Sequence, residues 1–225
     1  MPKKRVFVTR TIPNPALPLL KKHFEVKVHP KNQPISRTEL LKEVQWCDAL
    51  LCLLTETIDQ EIIDANPKLK VISNYAVGVN NIDVSYATKK GIVVCNTPSQ
   101  QVVDAVAEHT IMLLLGLAKR IHEDELYVRN NQWKYWDPGL LVGTQVKGKV
   151  LGVVGLGKIG SGVTEKAVYG LGMEVIYYDV IRNKSFEKKY HAVKVSLSTL
   201  LKKADLLLHK ICCEKLVVRV MVLKV

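Results

Sequence analysis

An apolar run, Val150-Leu151-Gly152-Val153-Val154, leads straight into Gly155-Leu156-Gly157-Lys158-Ile159-Gly160, and a second run, Met173-Glu174-Val175-Ile176-Tyr177-Tyr178, ends in Asp179. This order of strand, glycine turn, helix, strand and acid narrows the fold sharply, because it is the order that holds a dinucleotide. Gly155 permits a tight turn, Gly157 lets the main chain approach a pyrophosphate, and Gly160 lets a helix pack close to its strand. The helix N-terminus supplies unpaired N–H groups and the positive end of a dipole. Asp179 lies 19 positions beyond Gly160, near the roughly 20-residue offset of a carboxylate that accepts ribose hydroxyls. A carboxylate there repels a 2′-phosphate, which favours NAD over NADP. Arg182 follows three residues on and is able to blunt that discrimination.

The chain of 225 residues is 48% hydrophobic and 24% charged, the composition of a soluble globular protein with a sizeable core. No apolar stretch reaches the ~18 residues needed to span a bilayer. The N-terminus runs from Met1 into a strand pattern without a signal core, so a cytoplasmic location and no membrane partner are expected. The five cysteines, Cys47, Cys52, Cys95, Cys212 and Cys213, are odd in number and lack CxxC spacing, which predicts reduced thiols and no metal site. The net charge of +12 is dispersed in pairs such as Lys21-Lys22 and Lys202-Lys203, without interleaved aromatics. A solvated lysine-rich surface, not a nucleic-acid face, is the expectation.

Residues 1–99 alternate strands and helices. Strands are predicted at Arg5–Thr9, Glu25–Val28, Ala49–Leu54, Val71–Asn74 and Ile92–Asn96, with helices over Pro15–Phe24, from Ser36 through Val44, and around 58–65. Such alternation implies an α/β fold with a parallel sheet covered on both faces. A long, mostly apolar helix is predicted from Val102 to Ile121, followed by a looser segment with Trp133 and Trp136. A boundary is placed near residue 100.

Several segments then fall in a recognisable order. They are Val6-Phe7-Val8-Thr9-Arg10 with Ile12-Pro13, Asn74 through Asp83, Ala87 through Ile92, Asn96-Thr97-Pro98, Val106-Ala107-Glu108, Trp133, Gly148-Lys149, Gly155 through Gly160, and Ala204-Asp205. Through them the chain resembles the D-isomer-specific 2-hydroxyacid dehydrogenase family, most closely its glyoxylate/hydroxypyruvate reductase-like and phosphoglycerate dehydrogenase-like branches. The resemblance implies a flavodoxin-like substrate domain, whose first part is residues 1–100, and a Rossmann NAD-binding domain over 101–225, incomplete at its C-terminus, with the 102–121 helix crossing between them. It implies an active site in the cleft between the domains and a homodimer formed through the cofactor domain. The main-chain N–H groups of Val77 and Gly78 would receive a substrate carboxylate; without the resemblance these residues read as a strand-end turn. Lys158 and Ile159 match pyrophosphate-contacting positions, and Asp179 matches the ribose acid. The implied reaction is hydride transfer between NAD(H) and a small 2-hydroxy or 2-oxo acid such as glyoxylate or hydroxypyruvate.

The likeness stops near residue 209. The family's catalytic Arg, Glu and His belong to segments after the strand matched by Asp205-Leu206-Leu207-Leu208-His209, and residues 210–225 have no counterpart to them. No catalytic residue is therefore assigned, and His109, His122, His191 and His209 are not promoted to the role. The expectation is an oxidoreductase type that is inactive as this chain; the alternative is a non-catalytic NAD-binding or regulatory protein, or a pseudogene product. Four strands of the cofactor domain are assigned, near 150–154, 173–178, 192–195 and 205–208, which leaves the fourth with an exposed edge. The ending Leu216–Val225, rich in β-branched residues, is expected to pair with an open edge or to aggregate, and a frame-shifted or truncated reading frame is suspected.

Overall fold

Short apolar runs become strands here where their side chains enter a core, as those of Val6, Phe7 and Val8 do. The computed structural model describes residues 2–211 and 217–222, which fall into two units, Met1–Ser99 and Gln100–Val225.

The N-terminal unit runs β1 (Arg5–Val8), α1 (Ala16–His23), β2 (Glu25–Val28), α2 (Arg37–Val44), β3 (Ala49–Cys52), α3 (Gln60–Asp64), β4 (Val71–Asn74), α4 (Val84–Lys89) and β5 (Val93–Asn96). All pairings are parallel and the strand order is β2-β1-β3-β4-β5, the flavodoxin-like order. The helices start where side chains cap them. Ser36, Asp59 and Asp83 accept from the N–H groups of Glu39, Ile62 and Tyr86. Each such cap contributes about 1 kcal/mol. Each fully buried aliphatic or aromatic side chain contributes about 1.5–3 kcal/mol, so the core of Phe7, Leu50, Ile58, Ile62 and Ile72 dominates. The helix α4 was not among the predicted elements, although Asp83 at its cap is the signal for it.

The C-terminal unit comprises α5 (Gln100–Ala118), α6 (Ile121–Arg129), β6 (Val150–Val154), α7 (Lys158–Leu171), β7 (Glu174–Tyr178), α8 (Lys184–Tyr190), β8 (Val193–Lys194), α9 (Leu197–Lys203), β9 (Leu206–Ile211) and β10 (Val217–Val222). Its sheet has the order β10-β9-β6-β7-β8. The parallel strands β8-β7-β6-β9 reproduce the 3-2-1-4 half of a Rossmann sheet. The edge of β9 that was expected to stand open is covered by β10, which pairs antiparallel from Val217 opposite Ile211 to Val222 opposite Leu206. Side-by-side strands satisfy each other's main-chain groups, which explains why Val217–Val222 takes that place.

Two predictions need correction. The helix expected over 102–121 spans Gln100–Ala118 and stops because Arg120 adopts a left-handed conformation with φ 58°. A second helix, α6, then runs to Arg129, and the looser segment with Trp133 and Trp136 follows it without helix or strand. The statement that nothing is apolar enough to span a bilayer also needs qualifying: among the described residues α5 alone passes by length and composition, with 19 residues and mean hydropathy 1.4. It nevertheless carries Asp104 and Glu108, and Val103, Ala107, Leu114 and Ala118 are buried in the same core as Val163 and Ala167 of α7. Glu108 is exposed and lies 3.7 Å from Lys166 Nζ; His109 is exposed. Cys47 and Cys52 are buried and Cys95 is exposed, all three unpaired; Cys212 and Cys213 lie outside the described residues.

Candidate functional site

The turn after β6 takes its shape from glycine stereochemistry. Gly155 sits at φ +89°, a region that side chains disfavour. Its N–H donates to the Tyr178 carbonyl at 2.9 Å, which ties the turn to the end of β7. At Gly160 a Cβ would come within 2.5 Å of the Gly155 carbonyl oxygen. Only a bare Cα lets the first turn of α7 sit that close to its strand. Gly157 is the N-cap of α7, with extended backbone and no side-chain cap, and the space where its Cβ would stand is open. The first helical bond runs from Ser161 N–H to the Gly157 carbonyl, so the N–H groups ahead of it have no partner within the helix.

Lys158 is exposed and Ile159 is buried. Lys158 thus faces solvent at the positive end of the helix, while Ile159 anchors the turn in the core. A cleft of about 360 Å³ opens here, lined by Gly157, Lys158 and Ser161 with Gln100, Asp104 and Lys166.

Asp179 follows β7 directly and is half-buried. Its Oδ2 accepts from Leu156 N–H at 2.6 Å and its Oδ1 accepts from Ile181 N–H at 3.3 Å. The acid and the glycine turn are therefore joined by a charge-assisted hydrogen bond. One bond to each oxygen leaves further lone pairs for hydroxyl donors. A main-chain approach at Gly157, unpartnered helix-start donors and a fixed carboxylate together fit a dinucleotide. Arg182 does not lie against Asp179; it forks onto Glu187 through contacts of 3.0, 3.1 and 2.9 Å.

In the N-terminal unit, Val77 and Gly78 occupy the loop after β4 and are half-buried. Asn96 Nδ2 donates to the Val77 carbonyl at 2.7 Å, and Asn74 Nδ2 to the Gly78 carbonyl at 2.8 Å. No backbone carbonyl among the described residues takes the N–H of Val77 or Gly78. The loop is braced by Asn81, whose Nδ2 donates to the carbonyls of Leu53 (3.0 Å) and Glu56 (2.9 Å) and whose Oδ1 accepts from Asn74. With its carbonyls held from one side, the loop offers main-chain donors that suit a small carboxylate.

Sequence reasoning missed the buried Glu56 beneath this loop. Its carboxylate accepts from Thr9 Oγ1 at 2.6 Å and Leu53 N–H at 2.8 Å, and Arg10 lies 3.8 Å away. These bonds lock the ends of β1 and β3 together. A glutamate between two threonines in a connection reads as solvated, so no local pattern announces it. Among the described residues no group of His, Cys, Asp and Glu is placed to hold a metal.

The flavodoxin-like sheet, the Rossmann half-sheet and the glycine turn tied to an acid define a two-unit α/β chain of the dinucleotide-binding class. The chain belongs to the D-isomer specific 2-hydroxyacid dehydrogenase family: the family described as "D-isomer specific 2-hydroxyacid dehydrogenase, catalytic domain" matches residues 6–203. It is 46% identical over 209 residues to a glyoxylate reductase of Thermofilum pendens, covering 92% of this chain and 61% of that one. To a glyoxylate reductase of Korarchaeum cryptofilum it is 43% identical over 204 residues, covering 90% and 61%. Among solved structures it resembles the D-lactate dehydrogenase of Aquifex aeolicus in complex with NAD and lactic acid, with TM-score 0.73, 28% identity and coverage of 89% and 58%. The chain thus spans about three fifths of the length of the curated relatives it matches.

Proposed function

We propose that this chain carries the cofactor site and the first part of the substrate site of an NAD-dependent oxidoreductase acting on a small D-2-hydroxy or 2-oxo acid, with glyoxylate or hydroxypyruvate as the substrate. The observation that carries the reading is the bond from Leu156 N–H to Asp179, which joins the glycine turn to the acid in one rigid receptor. When bound, NAD(H) supplies the hydride exchanged with the substrate's C2. The residues of the chain do the rest of the holding. The N–H groups at the start of α7, with Lys158 beside them and Ile159 fixing the turn, receive the pyrophosphate. Gly155 and Gly160 shape that turn and Gly157 leaves it open. Asp179 accepts the ribose hydroxyls with its remaining lone pairs, and the N–H groups of Val77 and Gly78 receive the substrate carboxylate.

The reading includes a homodimer formed through the C-terminal unit. Exposed apolar residues on α5 and α6, among them Met112, Leu117, Ile121 and Val128, support it. It also includes a cytoplasmic location, which the unpaired thiols of Cys47 and Cys52 support.

Because the family's Arg, Glu and His have no matching positions among these residues, a polypeptide of this sequence is expected to bind NADH without turning over glyoxylate or hydroxypyruvate. Purified chain should show no NADH oxidation with either substrate, while saturating NADH raises its thermal midpoint. At a hundred times the dissociation constant the added stability is about 2.7 kcal/mol. Robust turnover would contradict the inactive reading, and an unmoved midpoint would contradict the cofactor reading.

A further inference from the structure

The loop that leaves Asp179 contains a cation that should spoil its selectivity. Arg182 is three residues from the acid, and the Ile181 N–H bond to Asp179 curls the chain around the carboxylate. A free guanidinium on that loop would offset the negative charge and offer a fork that matches a 2′-phosphate. The structure shows it engaged elsewhere. Arg182 Nε meets both oxygens of Glu187, and Nη2 meets Oε2.

Glu187 is itself fixed in place. Asn183 caps α8 by accepting from Phe186 N–H, which puts Glu187 in the first turn, where the helix dipole favours an acid. Its Oε1 accepts from the Tyr177 hydroxyl at 2.8 Å, and that hydroxyl accepts from Asn183 N–H at 3.1 Å. Tyr177 is fully buried and its ring packs edge-on against Phe186, with centroids 5.9 Å apart. The Tyr177 hydroxyl both donates and accepts in this arrangement, which gives the Glu187 carboxylate one preferred orientation. Arg182 and then Tyr177 hold Glu187 below its ordinary value, which keeps the pair charged at neutral pH. Of the other cations near this loop, Lys194 donates to the Val180 carbonyl at 3.3 Å, and Lys184 at the start of α8 also attracts Glu187.

We propose that Glu187, oriented by Tyr177, is a positioning residue that holds Arg182 away from the ribose 2′ position and so strengthens the preference for NAD(H) over NADP(H) that Asp179 gives this site. The inference rests on the cofactor reading above and adds to it a residue that protects the choice made by Asp179. Arg182 is well exposed, so the lock is a bias and its release should be felt modestly.

The test measures dissociation constants of NADH and NADPH for the full chain by nicotinamide fluorescence at low ionic strength, where such a pair is least screened. Wild type should prefer NADH. E187Q, which keeps an acceptor for Tyr177, should tighten NADPH by about two- to fivefold with NADH nearly unchanged. Adding R182A to E187Q should remove that gain. Y177F, folded by circular dichroism, should shift the ratio in the same direction by less, without altering any charge. An unchanged ratio in both E187Q and Y177F overturns the proposal, as does a gain in E187Q that survives R182A. A wild-type chain that binds neither coenzyme overturns the cofactor reading itself and this inference with it, a result distinct from normal NADH binding with an unmoved ratio.

Discussion

The two units present main-chain donors at the ends of parallel strands by different means. After β6, glycine sets the geometry: Gly155 takes a positive φ, Gly160 removes a Cβ that would strike a carbonyl, and the helix start supplies the N–H groups. After β4 the loop precedes only the short helix α4, and side-chain amides do the holding. Asn74, Asn81 and Asn96 take up carbonyls of the loop and of the neighbouring connection. The difference shows what each loop tolerates. A turn built on bare Cα atoms fails by steric collision, whereas a loop built on amide bonds fails by leaving carbonyls unpaired.

The largest effect should come from Gly160→Val. The added Cβ meets the Gly155 carbonyl oxygen at 2.5 Å, so α7 must shift and carry its first-turn N–H groups off target. Overpacking of this kind costs about 1–3 kcal/mol, and NADH binding should be lost altogether. Urea denaturation and a coenzyme titration read the two effects separately. Unchanged NADH affinity would mean that the turn geometry does not hold the cofactor.

Asn81→Ala should come next and act in the opposite unit. It strips the Leu53 and Glu56 carbonyls and the Asn74 amide of a partner, a loss of about 1–3 kcal/mol for buried groups. The N-terminal unit should unfold earlier in urea while NADH affinity stays within error. A parallel fall in NADH affinity would show that the two loops are not independent.

The smallest effect is on thiol chemistry. Burial first, and for Cys52 then the charge of Glu56, pushes the thiols of Cys47 and Cys52 from the ordinary 9.0 up to about 11 and about 12. The folded unit thus keeps protons that the unfolded chain has already released. The stability this provides is complete below the ordinary thiol value and is lost as pH climbs towards about 11 and about 12. Near neutral pH, iodoacetamide followed by peptide mass spectrometry should label Cys95 and spare Cys47 and Cys52. Labelling of the buried pair without unfolding would mean the N-terminal core opens readily.

Strands were legible from two patterns, the apolar run of Val150–Val154 and the period-two alternation of Glu25–Val28, and both are found with Val71–Asn74 at their predicted bounds. Ser36 announced α2 through its spacing to Glu39. The glycine spacing announced the shape of the turn, because glycine is tied to backbone geometry more directly than any other residue. Interactions distant in sequence were not legible. The bracing by Asn81 depends on a carbonyl 28 positions earlier, and the burial of Glu56 depends on Thr9, 47 positions away. From sequence spacing alone Arg182 reads as a threat to selectivity, because α8, whose cap at Asn183 brings Glu187 round to meet it, is not among the predicted elements. The stop of α5 at Arg120 escaped notice because an arginine in a left-handed conformation has no composition signal.

Isothermal titration of NADH into folded chain tests the receptor most directly. One coenzyme per chain with measurable heat is predicted, and Gly160→Val should abolish it. Well-folded protein that gives no heat with NADH or NADPH would contradict the assignment of Gly155–Gly160 and Asp179 as a dinucleotide site.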